Sequence, residues 1–244
     1  MLKDCQLLQD YSEQFYGYGS WNSKIWFIGM EEGGKGSASE STIQKRLELW
    51  QERGARDVEN APEFYGKLNY STEWFGSQPK LQSTWKQLIR VLFYAKRKTP
   101  TNDLVRAFQA GSWGRPECEA AIFEMFALPA ENSKTWPYPA FTDAWFLKSR
   151  GLYSYLFYNS RAAYFRQKIQ NSHPECLIFY GTGYEFLIEG IIRHSFESTP
   201  VNGLKAVIVE GVKCFLIRHP AARNGVDDAY FERVGRHISK FLGR

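Results

Sequence analysis

Cysteine is scarce in this chain and shows no pattern. Cys5, Cys118, Cys176 and Cys214 stand far apart with no CxxC spacing. That argues against a zinc site or an iron–sulfur cluster. The expectation is of reduced, mostly buried thiols in a cytoplasmic protein. Long apolar runs are missing too. No stretch approaches the ~18–20 residues that would span a bilayer. The opening segment MLKDCQLLQDYSEQF carries charges through its apolar positions, unlike a signal peptide. No internal repeat or dividing linker is visible, so one domain over 1–244 is expected. A strong excess of charge is also absent. The formal charge is +5 and the isoelectric point near 8.9, a mild basic balance that permits contact with a polyanion without requiring it.

The composition is 43% apolar and 23% charged, which is globular. Aromatic residues reach 16%. Most belong in a core, but Trp and Tyr also stack on bases. Short apolar runs over 24–29, 140–147, 176–181 and 213–219 read as buried strands. Another, over 205–211, pairs with the last as a hairpin. Helical spacing runs through 81–98, where Leu81, Trp85, Leu88, Ile89 and Leu92 share a face. Segments 116–128, 160–172 and 183–196 follow the same rule. The closing helix over 227–242 begins at an Asp227 or Asp228 N-cap. Alternating strands and helices predict an α/β/α sandwich with a central, mostly parallel four-stranded sheet. The polar, Gly- and Pro-punctuated stretch 51–80 reads as a long irregular loop.

Ligands of open α/β sheets lie at the carboxyl ends of the strands. There the chain reads GMEEGGKG (29–36), GTGY (181–184) and HPAARN (219–224). The first loop fails as a phosphate-binding P-loop, because Gly36 stands where Ser or Thr would hold magnesium, and because Glu31 and Glu32 would face phosphates. As a catalytic loop it fits better. Gly29, Gly33 and Gly34 allow close approach to the backbone, and a carboxylate after a buried strand can orient or deprotonate a water. His219, fixed by Pro220 at a strand end, can donate to an oxygen gaining negative charge.

The order strand-GM(E), strand-T(D), strand-G, strand-HP-x-x-RN resembles the uracil-DNA glycosylase superfamily. It is nearest to the single-strand-selective monofunctional branch, which has GMNPG and HPSPRN where this chain has GMEEGG and HPAARN. The resemblance covers roughly residues 20–244. It implies hydrolysis of the base–sugar bond of an altered base in DNA, on a monomer that needs no metal or organic cofactor and no membrane. Glu31 falls at the water-activating position and His219 at the one that stabilises the departing base. Asp143 lies near the base-reading Asn, and Trp74 or Phe75 is the candidate stacking ring. Gly33, Gly34, Lys35, Arg223 and Asn224 fall in the phosphate- and DNA-contacting segments. Glu32 replaces a family Pro, and Ala221 and Ala222 replace Ser-Pro. The alternative readings are an inactive or repurposed nucleic-acid-binding member of the fold and a nucleotide- or sugar-modifying enzyme on a similar sheet.

Overall fold

The computed structural model describes residues 2, 4–34, 36–68, 72–132, 134–222 and 224–243. Lys35 and Arg223 lie outside the described residues. The helices are α1 (Cys5–Gln14), α2 (Glu40–Glu52), α3 (Ala61–Leu68), α4 (Ser83–Ala95), α5 (Asn102–Gly111), α6 (Arg150–Ser172), α7 (Glu185–Ile192) and α8 (Asp228–Phe241). The strands are β1 (Gly17–Tyr18), β2 (Ile25–Gly29), β3 (Val58–Glu59), β4 (Ala120–Glu124), β5 (Cys176–Tyr180), β6 (Glu197–Ser198), β7 (Leu204–Val209) and β8 (Val212–Ile217).

Among the described residues, eight strands form one mixed sheet, in the order β3-β1-β4-β2-β5-β8-β7-β6. The four central strands, β4, β2, β5 and β8, are parallel. Every residue of β2, β4 and β5 is buried, as expected of strands covered on both faces. Alternation assigns the two covers. Trp26 and Phe123 project to one side, where Phe123 meets Phe165 of α6 at 6.2 Å between ring centroids. Phe27 projects to the other and meets Trp113, 5.6 Å away, just past α5. There Phe108 of α5 touches Phe93 of α4, and α8 packs on α4. The β7–β8 hairpin pairs antiparallel, as the sequence predicts. Asp227 caps α8 by accepting from the Tyr230 amide at 2.6 Å.

Four expectations need correction. Among the described residues the sheet has eight strands rather than four, because two-residue strands such as β1, β3 and β6 carry no periodicity to read. The run 140–147 is not a strand. It holds two 3₁₀ turns, Tyr138–Ala140 and Trp145–Leu147, and between them Thr142 Oγ1 accepts from the Ala144 amide. The second parallel strand is β4 instead, inside the segment expected to be helical. Its sequence AAIFE is buried throughout, so it reads as a continuous apolar run, which periodicity does not separate from a buried helix. Residues 51–80 are also more ordered than a loop: α3 places Ala61, Phe64, Tyr65 and Leu68 on one buried face.

Candidate functional site

The strand order reverses at β2. The chain passes from β2 to β4 on one side, then crosses to β5 on the other. A crevice outside the carboxyl ends of the strands is expected at such a switch point. A cavity of about 270 Å³ lies there, lined by residues from the loop after β2, by the ends of β4 and β5, and by His219 after β8. A wider groove of about 840 Å³ shares Glu31, Gly33, Tyr180 and His219 with it.

Three glutamates at this edge have different environments. Glu32 is clamped from behind. Arg46 of α2, fully buried, donates Nη2 to Oε1 at 2.8 Å and Nη1 to Oε2 at 3.0 Å, and Tyr18 adds its hydroxyl at 3.1 Å. Glu31 pairs with Arg150, at the first turn of α6. Arg150 also donates Nη2 to the carbonyls of Asn132 and Thr135 and lies over the Trp136 ring. Desolvation raises the pKa of Glu31, and Arg150 opposes the rise. Glu124, closing β4, is only 9% exposed. It accepts from the Tyr180 hydroxyl at 3.0 Å on Oε1, while Oε2 has no partner. Burial pushes its pKa well above the usual carboxylate range; the Tyr180 hydrogen bond opposes this, and Glu32 and Glu31 add to it. Its surroundings therefore favour the protonated form. A Cβ on Gly29 would fall on both the Tyr180 hydroxyl and Glu124 Oε2, so only glycine lets this pair close over the end of β2.

His219 is exposed at the rim, and its Nδ1 accepts from the Ala221 amide at 3.1 Å. Desolvation lowers its pKa, so the ring is neutral at neutral pH. With Nδ1 used as an acceptor, the ring proton sits on Nε2, which makes that atom a donor. The Tyr180 ring lies 5.6 Å away, centroid to centroid. Across the cavity, Tyr65, Trp74 and Trp85 form an aromatic wall.

The structure brings Glu31, Gly33, Gly34, Trp74 and His219 to the cavity, and Asn224 to the wider groove. Phe75 stands behind the wall, packed on Tyr65 and Trp85. Asp143 is exposed between the two 3₁₀ turns and lines neither cavity, so its placement lends nothing to a base-reading role. The glycine loop is partly occupied from within the chain: the Gly36 amide donates to the Glu131 carboxylate at 2.6 Å. The loops expected to bind DNA therefore do not present all their amides to a phosphate. Glu124 and Tyr180 are site residues the sequence reading passed over. A lone charge interrupting an apolar stretch, AAIF before it and MFAL after it, was the available signal for Glu124. Nothing in the sequence pairs Glu32 with Arg46 or Glu31 with Arg150, which is 119 positions away.

No protein-family model matches this chain, and no curated protein matches it. Among the described residues no cluster of three or more His, Cys, Asp or Glu side chains could hold a metal ion, and no helix is long and apolar enough to cross a membrane.

Proposed function

We propose that this protein hydrolyses the base–sugar bond of an altered base in DNA, on a fold like that of the uracil-DNA glycosylases. The observation that carries the reading is the convergence of Glu31 and a neutral, Nε2-protonated His219 on one aromatic-walled cavity at the switch point. The parallel core supports it, since its strands run in chain order second, first, third, fourth. The target nucleotide leaves the stack at a cost of a few kcal/mol. Its base enters the 270 Å³ cavity, and the strand follows the wider groove. Glu31 orients the attacking water and stabilises positive charge developing on the sugar. His219 donates Nε2–H to the departing base. Base reading belongs to the end of the second parallel strand, and Glu124 occupies that place.

One observation favours the alternative, a DNA-binding member of the fold without hydrolytic activity. The Glu31 carboxylate is engaged by Arg150, and an ion-paired carboxylate is a weaker base. Incubation with single- and double-stranded oligonucleotides carrying a panel of altered bases separates the two. Abasic sites that disappear in His219→Gln support hydrolysis. DNA binding with no abasic site from any base supports the alternative.

A further inference from the structure

The cavity's walls have a chemistry that a neutral pyrimidine does not call for. Tyr65, Trp74 and Trp85 meet one another edge to face. The centroid separations are 5.4 Å for Tyr65–Trp74, 5.0 Å for Trp74–Trp85 and 5.8 Å for Tyr65–Trp85, and the interplanar angles lie between 70° and 73°. The rings pack on one another, Tyr65 and Trp85 are buried, and half-buried Trp74 is the one that offers aromatic surface to the cavity; a cation is attracted to the face of such a ring. The charged groups agree. Four glutamates line the cavity, with no lysine or arginine among the described residues lining it. Arg46 and Arg150 neutralise Glu32 and Glu31 from outside the walls. Glu124 Oε2 remains buried and unpartnered.

We propose that this cavity takes a planar base carrying a fixed positive charge, as a ring-alkylated purine does. The inference rests on the glycosylase reading for the reaction and on the cavity alone for the ligand. The chemistry is consistent with the departures at Glu31. When the C1′–N9 bond of such a purine breaks, its electron pair moves into the ring and cancels the positive charge, so the base leaves neutral. Water oxygen then bonds to C1′ and yields its proton to Glu31, which passes it to solvent. A leaving group activated in this way needs less from an ion-paired base. A positive ring beside Glu124 also favours the ionised carboxylate, so binding releases a proton. The groups facing Glu124 are Tyr180 from β5, Glu31 and Glu32 after β2, and Arg161 from α6. None of them is a cation that lines the cavity.

Titration of the whole protein with 7-methylguanosine and guanosine, followed by tryptophan fluorescence and calorimetry, tests this. The charged nucleoside should bind about tenfold tighter or more, with proton release seen as a buffer-dependent heat. Glu124→Gln should abolish the proton release, and Trp74→Leu should remove most of the preference. Equal binding of the two nucleosides, no binding of either, or a preference untouched by both substitutions overturns the inference. Choline binding as tightly as 7-methylguanosine overturns the assignment to a base. The reaction is scored separately on oligonucleotides. Abasic sites from uracil without any preference for the charged nucleoside would retain the glycosylase reading and reject this one. The preference without abasic sites from any base would do the reverse.

Discussion

Glu31 and Glu32 are neighbours in the chain, yet they answer to different partners. Arg46 is fully buried, and Glu32 supplies its two carboxylate contacts. Removing one partner of a buried ion pair leaves an uncompensated charge and costs about 3–5 kcal/mol. Glu32→Gln should therefore lower the free energy of unfolding by about that much in urea titrations, and lose activity through lost fold. A midpoint within error of wild type would show that Arg46 finds another acceptor. Glu31 faces a less buried partner, since the Arg150 side chain is 21% exposed. Glu31→Gln should leave the fold intact and lower the hydrolytic rate about 10²–10⁴-fold, the usual loss for a general base. Only the ionised form serves, and burial raises the pKa of Glu31. The acid limb of the rate profile should thus lie above the ordinary glutamate value, with activity lost as pH falls through it. An acid limb at or below that value would place the essential group elsewhere.

The packing of α8 on α4 depends on Gly235. A Cβ there would overlap Tyr94 Cβ and lie 2.8 Å from the Val91 carbonyl oxygen and 3.3 Å from the Ala95 amide nitrogen. Alanine is the better helix former by about 1 kcal/mol. The obstructing atoms, however, include the α4 backbone, which cannot rotate away, and overpacking costs about 1–3 kcal/mol. Gly235→Ala should lower stability, seen as a reduced urea midpoint with little change in slope. A raised midpoint would mean that α4 moves freely. The helices most legible in the sequence are those with one buried stripe. Leu88, Ile89 and Leu92 of α4 are each buried as their spacing predicts. β4 was illegible because it has no such stripe and, unlike β2 and β5, no glycine closes its run, which continues into MFAL.

Across the whole protein, stability should bend with pH in two directions. Burial raises the pKa of Glu124 in the folded protein well above the ordinary value of 4.5 at which it ionises when unfolded. Above that value the folded state holds the extra proton. This contribution is complete below the unfolded pKa and is lost as pH rises toward the raised, folded one. Asp57 and Asp228 act oppositely, since hydrogen bonds and basic neighbours hold their pKa values below 3.8 despite some burial. Their contribution is present above that value and is lost as pH falls. Urea titrations from about pH 4 to pH 8 should show wild type losing stability relative to Glu124→Gln as pH rises. A difference that does not vary with pH would mean that Glu124 is ionised in the folded protein.

Local pattern was enough to establish the α/β class, three of the four parallel strands, the β7–β8 hairpin, the cap of α8, and the two loops that bring Glu31 and His219 to one edge. Each of these depends on residues close together in the chain: apolar runs, a stripe at helical spacing, an aspartate before a helix. The rest needed partners far apart in sequence. Whether AAIFE became strand or helix was settled by the slot between β1 and β2. Whether Glu31 or Glu32 became the structural anchor was settled by which one met a buried arginine. The pKa of Glu124 is raised because β4 buries its carboxyl beside two other glutamates, against the hydrogen bond from Tyr180. Burial sets the charge state of such a group, and burial belongs to the packed protein rather than to any short stretch of its chain.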